Sequence, residues 1–254
     1  MMKTIIRPRK FNDAQWKALI SVQPKTILSS NSKLKKDGIW NFSLPALSAN
    51  VIVNNKLTTI NTCQGAGSCK QFCYACSGCY CFDNTMIKHH RNLQFLLSNP
   101  FEFSNQFISE IKSKKNIKTI RFHDTGDFIP GLWSVYKSIM EACPNVQFYA
   151  YTKMVKLFNN LKANNQLPHN FTVVYSFGGI HDSIINMSTD RHSRVFKNRK
   201  ELRTHSYAET YNSDRNAANP SKLRIGLIVH GSAVAMKIIN KNQSINKMNN
   251  RIDA

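Results

Sequence analysis

The sequence predicts an α/β fold with a mainly parallel β-sheet that can close into a partial TIM-like barrel. From residue 117 onward, apolar strand-length runs alternate with amphipathic helix-length segments, a pattern typical of βαβ units. The strand runs are short and apolar, which favours burial on both faces of a parallel sheet. Polar residues and glycines follow several of these runs, at the positions where α/β proteins place their chemistry.

Three regions are expected along the chain. Residues 1–45 are polar and basic and are predicted to form an N-terminal extension with one short helix, capped by Asn12 or Asp13. Residues 46–240 are assigned to the α/β domain that holds the candidate cluster site. Residues 241–254 are assigned to a C-terminal tail.

Apolar spacing, capping residues and helix breakers predict the remaining elements. One strand covers residues 39–44, and another covers 49–60 with a turn at Asn54-Asn55 and leads into the cysteines. A helix begins at Asp83 or Asn84 and ends before Pro100, and a second helix follows it. The later elements are strand 117–122, helix 132–143, strand 146–151, a helix over 154–161, strand 171–176, strand 224–229 and helix 232–240. Residues 180–222 interrupt this alternation.

Six of the seven cysteines lie between Cys63 and Cys81, and Cys143 is the exception. Thiolates this close repel one another unless positive charge lies between them, so the segment indicates a metal or cluster site. A disulfide framework is the alternative, but it suits short secreted chains. We expect a cytoplasmic protein that does not enter the membrane, because we find neither a signal peptide nor an apolar run of ~20 residues.

Two sets of three cysteines could bind a cluster. Cys69-x3-Cys73-x2-Cys76 has the spacing of the radical S-adenosylmethionine (SAM) enzymes. In those enzymes three thiolates hold three irons of a [4Fe–4S] cluster, and SAM chelates the fourth iron. Cys63-x5-Cys69-x3-Cys73 is the other set.

Zinc is the alternative metal. Cys73, Cys76, Cys79 and Cys81 could surround one tetrahedral ion, and Cys79 and Cys81 could equally be bystanders. Soft thiolates suit zinc and iron–sulfur clusters alike, so the spacing leaves the metal open. A closed zinc or cluster site would fit a non-catalytic protein that the metal stabilises for nucleic-acid binding.

The candidate site residues outside the cysteine segment lie where predicted strands end. They are His123, Asp124, Gly126 and Asp127 after one strand, Thr152 and Lys153 at the next, and Ser176 at a third. His123, Asp124 and Asp127 are the candidate catalytic residues, because imidazole and carboxylate groups transfer protons and bind metals. The remaining four, together with Asp127, are the candidate cofactor contacts. Ordinary βα turns also favour Gly, Asp and Ser, which is the structural alternative.

Several stretches resemble the phage "gene product 88" family. The most specific is Cys63-Gln-Gly-Ala-Gly-Ser-Cys69-Lys-Gln-Phe-Cys73-Tyr-Ala, and the others lie at residues 28–34, 42–46, 91–92, 121–128 and 148–153. Three cysteines spaced like Cys63, Cys69 and Cys73 recur in that family. The resemblance therefore favours these three as cluster ligands, with Cys76 as a further candidate.

The arrangement also resembles a radical-SAM-type partial barrel. In those enzymes a Gly-Gly-Glu-like turn after the second strand contacts the amino group of SAM, and Thr125-Gly126-Asp127 occupies a comparable place. The resemblance implies a phage-encoded radical-SAM-like enzyme that uses a [4Fe–4S] cluster, SAM and an electron donor. The spacing of Cys63, Cys69 and Cys73 differs from the usual radical-SAM spacing.

The charge balance adds a candidate partner. Thirty-five Lys and Arg against 14 Asp and Glu give a net charge of +21, which attracts DNA, RNA or nucleotides. A proteome rich in Lys and Asn would produce the same charge without that function. The densest basic run covers residues 191–203, and Tyr207 and Tyr211 follow it. This run is predicted either to contact phosphates or to form a solvated basic helix or loop.

Overall fold

The computed structural model describes residues 7–8, 10–210 and 213–229. Its helices are α1 (Asp13–Ile20), α2 (Ser32–Lys36), α3 (Asp83–Ser98), α4 (Pro100–Ser113), α5 (Trp133–Glu141), α6 (Val155–Ala163), α7 (Arg199–Thr204) and α8 (Arg215–Ala218). Its strands are β1 (Ile39–Phe42), β2 (Ser48–Val53), β3 (Lys56–Asn61), β4 (Thr119–Phe122), β5 (Gln147–Thr152), β6 (Phe171–Ser176), β7 (His192–Phe196), β8 (Ala208–Glu209) and β9 (Arg224–Ile228).

Seven of these strands form one parallel sheet, in the order β1-β4-β5-β6-β7-β9-β8. The sheet curls into a half-barrel, which confirms the predicted α/β class and the parallel arrangement. All of its paired strands run in the same direction, so their carboxyl ends lie along one edge. That edge is where the candidate site residues were expected.

Both faces of the sheet are buried, as the apolar strand sequences predict. On β5, Phe148 packs with the helices on one face, where its ring stacks on that of Phe122 at 5.2 Å. Tyr149 and Tyr151 belong to a separate cluster on the opposite face, where they pack with Ala217 of α8. The alternation along β5 therefore places its side chains in two separate clusters, one on each face of the sheet.

The segment before the cysteines differs from the prediction. Residues 49–60 do not join the main sheet; β2 and β3 form their own antiparallel hairpin. The predicted turn is confirmed, and Asn54 and Asn55 both have positive φ, which asparagine tolerates well. Because most β3 side chains are exposed or half-buried, this strand is unsuited to a sheet buried on both faces. The main-sheet strand upstream of the cysteines is β1.

Helices α1 and α3 begin at the predicted residues, but the N-cap of α3 is a different residue from the one predicted. Asn12 caps α1 in a capping box, in which Asn12 and Gln15 each accept the other's backbone N–H. At α3 the N-cap residue is Phe82. Asp83 lies in the first turn, where its negative charge interacts favourably with the helix dipole. Pro100 occupies the first turn of α4, where its missing N–H is harmless.

The basic run is divided between the buried strand β7 and the helix α7, where Arg199, Lys200 and Arg203 are exposed as the solvated-helix alternative predicts. Residues 180–222 contain β7, α7, β8 and α8, so the alternation continues there. Arg194 lies in β7 and is 1% exposed, with its guanidinium over the rings of Phe196 and Tyr207. Arg191 donates to the backbone carbonyls of Lys222 at 2.7 Å and Asn219 at 2.6 Å.

The predicted N-terminal extension contributes a strand to the main sheet. β1 lies inside residues 1–45 yet pairs with β4 in the main sheet, and the division into extension, domain and tail stays a prediction. Tyr211, the helix predicted over residues 232–240 and the predicted tail lie outside the described residues. No helix within the described ranges is long and apolar enough to cross a membrane.

Candidate functional site

The cysteine loop, residues 63–81, lies on the carboxyl edge of the half-barrel. It winds through three short 3-10 helices, Ser68–Phe72, Tyr74–Cys76 and Gly78–Cys81. The backbone N–H groups of Gly67 and Cys69 donate to the carbonyl of Gly178 at 3.0 and 3.1 Å. Gly178 is the second residue after β6, so these bonds attach the cysteine loop to the end of a central strand.

Two glycines of the cysteine loop permit this contact. A Cβ on Gly65 would lie 2.3 Å from the carbonyl oxygen of Lys153, and one on Gly67 would lie 2.7 Å from that of Gly179. No side chain fits at these distances unless the backbone moves. The Gly-Ala-Gly between Cys63 and Cys69 therefore brings the backbone directly onto the ends of β5 and β6.

Backbone amides lie close to three thiols of the cysteine loop. The sulfur of Cys63 accepts a hydrogen bond from the N–H of Leu47 at 3.2 Å. The amide of Gly67 acts to lower the pKa of Cys69, and the amides of Ala75 and Cys76 act to lower that of Cys73. These amides stabilise negative charge on sulfur, as they do around metal-bound thiolates.

The thiols differ in how readily they ionise. A hydrogen bond from the Cys76 thiol lowers the pKa of Cys73 to about 7, and the charge of Lys153 acts in the same direction. The same bond raises the pKa of Cys76, because its proton is held against Cys73. Burial and the nearby Asp127 carboxylate raise the pKa of Cys63 to about 12. Burial also raises the pKa of Cys69, against the effect of Lys153.

The four thiols are electrostatic neighbours, but they do not converge on one point. In the described part of the chain, no three His, Cys, Asp or Glu side chains are placed to hold a single metal ion. A tetrahedral zinc site needs four donors at about 2.0–2.3 Å from one centre, so it would require these side chains to move. In a [4Fe–4S] cluster each thiolate binds a different iron, so such thiols need not converge.

Asp127 connects the turn after β4 to the end of β5. One carboxylate oxygen accepts from the N–H of Phe128 at 2.8 Å and from the hydroxyl of Thr152 at 2.7 Å, and the other accepts from the N–H of Lys153 at 2.8 Å. Burial raises the pKa of the carboxyl above its ordinary value, although these bonds act in the opposite direction. Gly126 before it has φ +78° and lies tightly against Leu44.

Lys153 places an ammonium group beside the thiols. Its Nζ donates to the hydroxyl of Ser176 at 2.8 Å and to the carbonyls of Ser176 and Phe177 at 3.1 and 3.3 Å. The structure thus joins all the predicted cofactor contacts except Gly126 in one hydrogen-bonded chain, from Asp127 through Thr152 and Lys153 to Ser176. The polar atoms of these groups are hydrogen-bonded to one another, and their roles toward a cofactor stay predictions.

Asp124 connects the cysteine loop to the turn after β4. The Tyr80 hydroxyl donates to its carboxylate at 2.7 Å, and the Tyr74 hydroxyl donates to its backbone carbonyl. Arg121 on β4 holds the other carboxylate oxygen at 3.1 Å and also contacts Asp214 at 3.0 Å. This network was not predicted from the sequence. Two features of the sequence could have indicated it: an arginine inside an apolar strand, and tyrosines interleaved with the cysteines.

His123 lies away from these groups, in the aromatic core. It is 2% exposed, its ring packs 4.5 Å from that of Phe128, and neither ring nitrogen has a hydrogen-bond partner among the described residues. Burial lowers its pKa to about 3, and its φ of +57° turns the chain sharply after β4. The structure therefore does not bring His123 together with the cysteine loop.

The fold and the site together define a class: a half-barrel α/β protein with a cysteine loop on the carboxyl edge of its sheet. A family model described as Gene product 88 matches residues 19–246, and the chain belongs to this family. Comparison with curated proteins and with solved structures found no match. The family resemblance seen in the sequence is confirmed, and a radical-SAM-like role for the cysteine loop remains a proposal.

Proposed function

We propose that the protein binds a [4Fe–4S] cluster through Cys63, Cys69 and Cys73 and acts as a radical-SAM-type enzyme. One observation carries the proposal. On the carboxyl edge of the half-barrel, the sulfur of Cys63 accepts a backbone amide hydrogen bond, and nearby amides together with the Lys153 ammonium favour the thiolates of Cys69 and Cys73. Amide donors and a lysine together stabilise thiolates, the form of cysteine that binds iron.

The family resemblance favours the wider set of three cysteines, because cysteines spaced like Cys63, Cys69 and Cys73 recur in the Gene product 88 family. Each of the candidate thiols releases its proton when it binds iron, so the hydrogen bond from Cys76 to Cys73 does not by itself select the ligands. Three ligands leave one iron open, and an open coordination position distinguishes a reacting site from a closed structural one.

A [4Fe–4S] cluster held by Cys63, Cys69 and Cys73 would supply the electron for the reductive cleavage of SAM. The chain's own residues prepare the site. Lys153 supplies positive charge for the carboxylate of SAM, while Asp127 and Thr152 hold the exit of β5 in place. The cysteine loop covers the carboxyl edge and limits the access of water.

Metal analysis after anaerobic reconstitution tests the ligand assignment. Wild type should contain iron and sulfide, and Cys63→Ala, Cys69→Ala and Cys73→Ala should each lose them. Cys143→Ala is the matched control, because Cys143 is buried in the helix-facing core and should leave the iron content unchanged. Full iron content in Cys63→Ala would move the ligand set to Cys69, Cys73 and Cys76.

SAM binding is tested separately on the reduced, loaded protein. Adding SAM should change the electron paramagnetic resonance spectrum and release 5′-deoxyadenosine slowly. If the spectrum responds only in Cys76→Ala, Cys76 closes the site and the radical-SAM assignment fails. If the purified protein holds zinc without iron, the non-catalytic, metal-stabilised protein replaces the enzyme.

A further inference from the structure

A second charged site lies away from the cysteine loop, in a groove of about 560 Å³ between α7, β8 and α8. Three arginines line it: Arg199, Arg203 and Arg215. The facing carboxylates are Glu209 at the end of β8 and Asp37 just before β1. β8 and β1 are the two edge strands of the half-barrel, so the groove lies where the segments beside its open edges meet.

The carboxylates hold the arginines in place. The Nε of Arg199 lies 2.6 Å from one oxygen of Glu209, and Arg203 approaches the other oxygen at 4.0 Å. The Nε of Arg215 lies 2.8 Å from Asp37, whose side chain is only 9% exposed and also accepts from Ser213 at 2.6 Å. Asp37 is therefore a fixed anchor, and the guanidinium groups are positioned before any ligand arrives.

Positive charge exceeds negative charge in the groove, with three guanidinium groups against two carboxylates. The side chains of Arg203 and Arg215 are each 73% exposed, so a ligand can reach both. Exposed ion pairs of this kind are weak, so a dianionic ligand can compete with them. Lys197 and Lys200 are exposed beside the groove, and Glu201 is the nearby carboxylate on α7.

We propose that this groove binds the phosphate groups of a nucleic acid or of a nucleoside polyphosphate. Guanidinium groups match phosphate oxygens in a two-pronged geometry that lysine does not offer. No aromatic ring is among the described residues that line the groove, so it offers no stacking platform for a base. The groove recognises phosphates rather than sequence, and it does so whether or not the cysteine loop holds a cluster.

Oligonucleotide binding at increasing KCl concentration tests the proposal by fluorescence anisotropy. With a labelled single strand, log K falls as log salt rises. Arg203→Gln/Arg215→Gln should make this negative slope shallower by about 1.4, or ~0.7 for each lost contact. Affinity at low salt should fall by about an order of magnitude. Lys56→Gln/Lys115→Gln is the matched control, because it removes the same charge from exposed positions outside the groove.

Equal losses in the two double variants would overturn the proposal, since the overall field would then account for binding. Absence of binding in wild type at low salt would overturn it as well. Arg203→Lys/Arg215→Lys separates charge from geometry and covers the case in which the Gln pair destabilises the fold. It should keep the salt slope and still lose affinity, because lysine lacks the planar fork.

The source of the phosphate is decided by competition at constant ionic strength. If tripolyphosphate displaces the oligonucleotide and binds with the same dependence on Arg203 and Arg215, the ligand is a nucleoside polyphosphate. If only a second oligonucleotide displaces the first, the ligand is a nucleic acid. Failure of both competitors would overturn the proposal.

Discussion

At the scale of single residues, Gly65 determines how closely the cysteine loop approaches β5. We expect Gly65→Ala to destabilise the protein by about 1–3 kcal/mol, as overpacking does, because the added Cβ would lie 2.3 Å from the Lys153 carbonyl. Urea unfolding measures the loss. Gly131→Ala is the control, since its Cβ would enter open space. Equal stability of the two variants would show that the cysteine loop adjusts without cost.

His123 should make the protein sensitive to acid. Its pKa is about 3 in the folded protein and ordinarily 6.5, so the unfolded chain takes up the proton first. Its contribution to stability is complete above pH 6.5 and is lost as the pH falls toward 3, at up to about 1.4 kcal/mol per pH unit. His89, with a pKa lowered by burial to about 4, adds to the same trend.

Unfolding free energies measured between pH 7 and pH 4 test this expectation. His123→Asn should flatten the pH dependence whatever it does to the absolute stability, because asparagine does not titrate and tolerates a positive φ. His169→Asn, at an exposed position, is the control. An unchanged slope in His123→Asn would mean that the buried ring does not account for the acid sensitivity.

At the scale of elements, one carboxylate and its neighbours hold the cysteine loop against the sheet. Tyr80→Phe removes a hydrogen bond to the Asp124 carboxylate and should cost about 1.5–3 kcal/mol. Amide hydrogen exchange in residues 74–81 should become faster, because the bond anchors that segment to the turn after β4.

Tyr175→Phe provides the matched control for this element. Its hydroxyl donates to Asn159 at 2.5 Å, away from the cysteine loop. The control should lose stability through its own missing bond but keep the exchange protection of residues 74–81. Faster exchange in both variants would indicate a general loss of stability instead of a local release.

At the scale of the whole molecule, the net charge of +21 opposes compactness. We expect the melting temperature to rise as KCl increases from low to moderate concentration, because screening weakens the repulsion more than it weakens the exposed ion pairs. Sulfate at matched ionic strength should raise it further if the arginine groove binds divalent oxyanions. Because sulfate also stabilises folded proteins without binding to them, Arg203→Gln/Arg215→Gln should reduce that additional effect but not abolish it. A falling melting temperature in KCl would show that ion pairs outweigh repulsion.

The sequence by itself predicted five of the seven strands of the main sheet and placed the candidate site residues at their ends. Alternating apolar strands and helices reflect local periodicity, which survives in any tertiary context, so β4, β5, β6 and β9 were predicted close to their observed bounds. The crowded cysteines and the polar strand exits were visible for the same reason. The residues that carry them are near neighbours in the chain.

Only the tertiary structure decided which distant residues meet. The bond between Tyr80 and Asp124 joins residues 44 positions apart, and that between Arg121 and Asp214 joins residues 93 apart. Likewise, the polar run around Arg194 became a buried strand because Phe196 and Tyr207 cover its guanidinium. Local patterns specify which face of an element is apolar but not its partner, since the partner is selected by packing over the whole chain.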